Sequence, residues 1–322
     1  MGRMVNDVWQ VSEEITRTDK DGAFVRGVTQ FRNRISREKD ARFPPQADRY
    51  HLWVAHNCPW AQRTTITRNL KKLQSVIGIS YAHYHRNEQG WWYATAIDDL
   101  QPETGFPLHR LHSLTGANYT GSATVPVLWD RHRKAIVSDE SAEIIRMLNS
   151  EFGDWNEGTP DLYPAPLRGE IDTVNEWVYR SINNGVYRCG FARSQKAYEA
   201  AFHELFAALD RADNRLGHHR YLAGNTLTEA DIRLFTTLAR FDAVYFSHFK
   251  CNCRRISDYP NLGPYFRDLY QTPGFGDTVR VELYKLGYYG RSKRLNPSGI
   301  IPLGPDLEFD AAHNRDQRDY SS

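Results

Sequence analysis

The sequence is poor in the features that would place it in several large classes. Its 322 residues include 4 cysteines, Cys58, Cys189, Cys251 and Cys253, too few and too unevenly spaced for a disulfide framework. Reduced thiols are therefore expected. No apolar run approaches the ~18 residues needed to cross a bilayer, and the first thirteen residues lack the apolar stretch of a secretory signal. No membrane association and a cytoplasmic location are expected. Neither sign of charge dominates: 41 Lys and Arg stand against 39 Asp and Glu, a net +2, so no basic field points to nucleic acid. No repeat with a period of about 20 to 50 residues is visible, which argues against a solenoid. His248, Cys251 and Cys253 have no second ligand cluster to complete a tetrahedral set, and no metal is expected.

Apolar residues make up 40% of the chain, enough for two packed domains, and aromatic residues are plentiful at 13%. The organising stretch is Val54-Ala55-His56-Asn57-Cys58-Pro59-Trp60-Ala61. A β-type run over residues 49–55 meets a helix start here. Asn57 suits a cap, Pro59 suits the first turn, and Ile66, Leu70 and Leu73 recur on one helical face. Cys58 is thus expected at a helix N-terminus, where orphan N–H groups and the helix dipole favour the nucleophilic thiolate. Ala61 stands where a dithiol motif would carry a second cysteine, so Cys58 should form mixed disulfides with an external thiol. A buried structural cysteine is the bland alternative.

Residues 1–47 read as a polar extension without sustained period. Strand 49–55, helix 59–73 and strand 77–84 form a βαβ unit with parallel neighbours. A long segment, 85–121, precedes a hairpin of strands 124–129 and 134–138; Ser138 can cap a helix over 140–149. This order predicts a thioredoxin-like α/β domain in its glutathione-binding form over residues 48–152. Val125-Pro126 lies inside a strand pattern, where proline removes a ladder hydrogen bond. A cis peptide presenting the Val125 backbone to a thiol peptide explains it; a trans proline on an edge strand also would. Glu140-Ser141 at a helix start suit the γ-glutamyl end of glutathione: helix N–H groups and the Ser141 hydroxyl for the carboxylate, Glu140 for the ammonium. Such a pair can equally be a plain cap.

A Gly- and Pro-rich linker, 153–166, leads to an all-α domain, 167–305, followed by a polar tail, 306–322, expected on the surface or disordered. Amphipathic faces run through Ile171, Val174, Trp177, Val178 and Ile182, and through Tyr198, Phe202, Leu205, Phe206 and Leu209. Leu227-Thr228-Glu229-Ala230-Asp231-Ile232 holds a variant capping box, Thr228 with Asp231, opening a buried helix over 232–245.

A lone Cys-Pro in a thioredoxin-like domain, followed by an all-α C-terminal glutathione-transferase domain with that capping box, resembles the cysteine-type glutathione transferases. Asn57-Cys58-Pro59-Trp60-Ala61, Thr124-Val125-Pro126-Val127-Leu128-Trp129-Asp130, Glu140-Ser141-Ala142-Glu143-Ile144-Ile145-Arg146-Met147-Leu148-Asn149, Ile182-Asn183-Asn184-Gly185-Val186-Tyr187, and Leu227 through Tyr245 followed by His248-Phe249-Lys250-Cys251-Asn252 are similar to the Xi class, the glutathionyl-hydroquinone reductases. The resemblance implies a homodimeric enzyme that removes glutathione from glutathionylated hydroquinones, with a second glutathione as co-substrate and glutathione disulfide as product. It implies Cys58 as nucleophile and Trp91, Val125, Glu140 and Ser141 as glutathione residues. It further implies Tyr187 as proton donor to the leaving ring, with Tyr245 and Tyr288 lining the aromatic site and helping to keep the thiolate; each tyrosine could otherwise be a core aromatic. Two departures stand out. Ser122 occupies a position where the family usually has a basic residue, implying weaker glutathione binding or a substitute cation. The segment 281–289 lacks the histidines expected around its paired tyrosines. A monothiol thioltransferase or dehydroascorbate reductase would need Cys58 but no aromatic acid, and a non-catalytic interaction module would need neither.

Overall fold

The fold is built from its shortest elements inward. In the computed structural model, which describes all residues except 1, 12–16, 95–104, 117, 291–293 and 321–322, the extension is not featureless. Strands β1 (Gly2–Val5) and β2 (Val8–Val11) form an antiparallel hairpin closed by Asn6 and Asp7, both at positive φ. Such two-residue turns match the right-handed twist of their strands, and Asn and Asp tolerate the left-handed region best. The Asp7 carboxylate also accepts from the amides of Asn118 and Tyr119, both at 2.7 Å, and Met4 pairs with Gly121. The hairpin therefore pins the far end of the long segment. Four-residue strands around one turn are too short to show a sequence period.

Strand β3 (Tyr50–Val54) is buried on both faces and leads into helix α1 (Pro59–Leu70), then strand β4 (Gly78–Tyr81). β3 and β4 are parallel, as the βαβ reading requires. Within the long segment lie strand β5 (Trp92–Tyr93), its antiparallel partner β6 (Phe106–Pro107) and helix α2 (His109–Thr115). The hairpin strands β7 (Val127–Asp130) and β8 (Ala135–Ser138) complete a sheet of order β4-β3-β7-β8, with β7 antiparallel to both neighbours. Helix α3 (Ser141–Ser150) packs beside α1 on this sheet. A buried ion pair closes the sheet's end: Arg49 reaches Asp130 Oδ2 through Nε at 3.0 Å and Nη2 at 2.7 Å.

Two caps differ from expectation. Cys58, not Asn57, is the N-cap of α1; Asn57 instead donates its side-chain amide to the Tyr84 carbonyl. Glu140, not Ser138, caps α3, accepting from Ala142 N–H, while Ser138 Oγ accepts from Glu140 N–H. In both places a good capping side chain found a stronger tertiary or turn partner one or two residues early.

The described residues of Met1–Ile15 and Arg26–Thr159 form one unit; Thr16–Val25 and Pro160–Ser322 form a second. Part of the extension thus belongs to the helical unit, where the Gly22 carbonyl accepts from Arg193 N–H and the Asp21 carbonyl from Ser194 Oγ. The second unit comprises α4 (Arg168–Trp177), α5 (Gly185–Phe191), α6 (Gln195–His218), α7 (Glu229–Arg240), α8 (Phe246–His248), α9 (Leu262–Gln271) and α10 (Val281–Tyr289). Every residue of α7 is buried, and its Thr228/Asp231 capping box forms as read from the sequence. Asp231 Oδ1 also takes bonds from Leu222 N–H and the Tyr265 hydroxyl, so the cap anchors three segments.

The buried helix expected over 232–245 ends at Arg240 and passes into a wider, π-type turn, Phe241–Tyr245; a second such turn, Val178–Asn183, precedes α5. The Asn183 side-chain amide ties that second turn to α7 through Arg233 O at 3.0 Å and Thr237 Oγ1 at 2.8 Å. Wide turns re-aim the residues after them and recur at functional sites. The tail is mostly exposed, with one buried anchor. Phe309 packs on Phe266 and Tyr270, and Arg315 is fully buried, donating to the carbonyls of Leu216, His219 and Arg220 where α6 ends. Those carbonyls are left unpaired by the helix terminus and attract a cation, which polar composition alone does not reveal.

Candidate active site

The first unit assembles the thiol side of the site. Pro59 starts α1, so Cys58 is held at its N-cap with extended backbone; no helix N–H bonds to its sulfur, and the half-buried thiol donates to Val125 O at 3.4 Å. The Val125-Pro126 peptide is cis. The carbonyl that meets Cys58 thus comes from the stretch just before β7. Glu140 sits at the N-cap of α3 and Ser141 at its first turn, buried. Trp91 is buried at the start of β5. Ser122 lies between Tyr119, whose hydroxyl donates to the Ser122 carbonyl at 2.9 Å, and the cis proline.

Two cations in this unit were missed in the sequence. The Arg86 guanidinium lies 3.6 Å over the Trp91 ring. Arg63, one turn beyond Cys58 and buried, stacks at 4.4 Å over Trp60 and directs Nη1 at Ser141 Oγ, 3.5 Å away. Arginine at i+5 from a cysteine carries no motif of its own. The available signal was an arginine on the helix face that also carries Ile66, where a charge demands a partner.

Asp139 precedes Glu140 and is buried with Oδ1 lacking a hydrogen-bond partner. Burial, then the charges of Glu140 and Glu143, push its carboxyl up to about 7, against the backbone amides of Asp139 and Phe31 that lower it. Arg32 is the cation that faces it from the extension. The folded value lies above the ordinary 3.8, so the protein favours the protonated acid. Its contribution to stability is complete below about pH 4 and is lost as pH rises through about 7. Asp139→Asn is expected to flatten this loss and to stabilise the protein at about pH 8 by on the order of 2–4 kcal/mol, with little effect at about pH 4. Urea melts at both pH values check it; equal shifts at both would remove Asp139 as the titrating group.

The second unit assembles three phenols. Tyr187 lies in α5 after the wide turn Val178–Asn183, Tyr245 closes the wide turn Phe241–Tyr245, and Tyr288 lies near the end of α10. Their hydroxyls form a triangle: Tyr187 to Tyr288 at 2.7 Å, Tyr245 to Tyr288 at 3.0 Å, and Tyr187 to Tyr245 at 3.4 Å. Phe249 packs against all three rings. Burial pushes Tyr245 and Tyr288 well above the ordinary phenol range, and Tyr187 adds to both; Arg240 pulls both back. His248 of α8 lies with its ring 4.5 Å from Tyr289, tilted at 51°, its basicity lowered to about 4 by burial and by Lys250. It is neutral at physiological pH. The nine predicted residues therefore fall into two groups, five around the first unit's sheet and helix starts together with Cys58, and the three tyrosines of the second unit.

Fold and site define a cysteine-type glutathione transferase. Residues 57–151 match the family description "Glutathione S-transferase, N-terminal domain" and residues 195–268 "Glutathione S-transferase, C-terminal domain". The chain is 43% identical to glutathionyl-hydroquinone reductase YqjG of Escherichia coli, covering 99% of both chains, and 43% identical to glutathionyl-hydroquinone reductase PcpF of Sphingobium chlorophenolicum, covering 95% of this chain and 96% of that one. Among solved structures it is similar to the Xi class transferase of Natrialba magadii (TM-score 0.89, 42% identity, 98% and 97% coverage). It is also similar to glutathione-bound YqjG (TM-score 0.86, 42% identity, 98% and 99% coverage). The chain belongs to the Xi class of glutathione S-transferases, the glutathionyl-hydroquinone reductase family.

Proposed function

We propose that this protein reduces glutathionyl-hydroquinones to hydroquinones. The carrying observation is a lone thiol at the N-cap of α1, held on the carbonyl before a cis proline, in a chain whose whole length matches curated reductases of that name. The Cys58 thiolate attacks the thioether sulfur of the substrate. The aryl carbon–sulfur bond breaks, its electron pair passes to the ring carbon, and that carbon takes a proton from Tyr187. Hydroquinone leaves, and Cys58 is left as a mixed disulfide with glutathione. A second glutathione thiolate attacks the glutathione sulfur, which releases glutathione disulfide and the Cys58 thiolate, and solvent restores the Tyr187 proton.

Glutathione fits the donor set of the first unit. The helix start at Ser141 offers N–H groups and a hydroxyl to the γ-glutamyl carboxylate, and Glu140 accepts from its ammonium. The Val125 backbone pairs with the peptide, and Trp91 packs on it. Arg86 and Arg63 supply the positive charge that Ser122 does not. Tyr245 and Tyr288 line the aromatic substrate's site and help to keep the thiolate. The same reading carries a homodimer, a glutathionylated aromatic substrate and a cytoplasmic location; among the described residues no helix is long and apolar enough to cross a membrane.

The test is turnover of a glutathionyl-hydroquinone by the purified protein with excess glutathione. Hydroquinone and glutathione disulfide should appear in equal amounts. Intact-mass measurement after substrate alone should show one glutathione on Cys58. A folded protein that transfers glutathione from small disulfides but releases no hydroquinone would replace this reading with the monothiol thioltransferase.

A further inference from the structure

Arg240 is the last residue of α7 and is fully buried. Burying a guanidinium is expensive unless its surroundings respond to the charge, and those surroundings here are phenolic. Its guanidinium lies 3.8 Å over the Tyr284 ring, and Nη1 donates to Thr236 O at 2.7 Å, which ties the group to its own helix. The C-terminal end of α7 also favours a cation there. Tyr284 and Tyr288 are four residues apart on α10 and share a face. Tyr245 closes the wide turn that Arg240 begins. The cation is therefore held where α7, the wide turn ending at Tyr245 and the α10 face that carries Tyr284 and Tyr288 pack together.

We infer that Arg240 is a positioning residue for ring protonation: it holds the negative charge left in the Tyr187–Tyr288–Tyr245 hydroxyl cluster when one proton leaves. This rests on reading Tyr187 as the acid. Once Tyr187 has given its proton to the ring carbon, its oxygen can accept from Tyr288 at 2.7 Å and from Tyr245 at 3.4 Å, so the charge spreads over the cluster. Two donated bonds and one buried cation take the place that water has for a free phenolate. The groups facing Arg240 are Tyr284 and Tyr288 of α10, Tyr245 and Tyr187; it pulls Tyr245 and Tyr288 back toward ionisation against their burial, and the hydrogen bond with Tyr245 does the same for Tyr288.

Carbon NMR of Cζ-labelled tyrosine, assigned by single Tyr→Phe variants, reads the ionisation of each phenol. In the wild type the first proton of the triad should leave at lower pH than that of Tyr93, which is fully buried in the other unit, as Tyr245 is in this one. In Arg240→Met the triad's titration should move up by about one unit or more, and the alkaline fall of kcat for hydroquinone release should move with it, with kcat reduced about ten- to a hundredfold. Arg240→Lys should restore most of both. A triad titration in Arg240→Met that coincides with wild type overturns the inference, as does a shift that lysine does not reverse. Should Arg240→Met not fold, the wild-type order decides alone: triad ionisation above Tyr93 sinks it. A full rate in Tyr187→Phe would instead remove the acid assignment itself, a failure distinct from an unmoved titration.

Discussion

Cys58→Ser is expected to lose more than about a thousandfold in hydroquinone release while leaving the fold intact or slightly more stable. The loss follows from chemistry: an alkoxide is not accessible near neutral pH, and oxygen cannot form the mixed disulfide. The gain follows from position. Cys58 is the N-cap of α1 and makes no side-chain cap bond, whereas serine is among the best N-caps; a new bond to the first-turn N–H groups is worth about 0.5–1 kcal/mol. Turnover and urea melts on the same preparation check both parts. Retention of more than about a tenth of the rate would show that another group breaks the carbon–sulfur bond, since a general acid alone supplies only about 10²–10⁴.

Tyr187→Phe is expected to separate the two enzyme readings. Its hydroxyl is one corner of the triangle, and its removal leaves the Tyr245–Tyr288 bond of 3.0 Å and the ring's packing on Phe191 and Phe249 in place. Stability should fall by only about 1 kcal/mol, the net worth of a buried hydrogen bond. Hydroquinone release should fall by about 10²–10⁴, the usual contribution of a positioned acid. Reduction of a small glutathione mixed disulfide, which needs Cys58 and no ring proton, should proceed at the wild-type rate. Equal loss in both reactions would tie Tyr187 to the thiol step and remove it as the ring's acid.

The thiol side of the site was legible because its signals are local. A strand followed by Cys-Pro, a proline inside a strand and an acidic-serine helix start are each set by a few neighbouring backbone dihedrals, and the capping box at Thr228 and Asp231 is equally local. The caps themselves were misplaced. Asn57 and Ser138 are good capping residues in isolation; Asn57 was diverted by the Tyr84 carbonyl, which sequence distance hides, and Ser138 by the Glu140 amide two residues on, in a local turn. The tyrosine triad was reached through family resemblance, because hydroxyls drawn from positions 187, 245 and 288 share no period. Arg86 and Arg240 carried no local signal, and Arg63 only its place on the helix face of Ile66, since an arginine's role depends on what it is buried against.

The sequence by itself determined the βαβ unit, the later hairpin and helix, the thioredoxin-like and all-α character of the two parts, and the placement of one thiol at a helix start, since each depends on periodicity and turn chemistry within a few residues. Only the tertiary structure decided which side chains begin α1 and α3, that the extension opens with a hairpin and the tail is anchored by a buried arginine, and that three phenols from distant positions meet. The physical reason is range. Backbone preferences act over a turn or two of chain, whereas the desolvation that gives a buried charge or hydroxyl its chemistry is the joint effect of elements far apart in sequence.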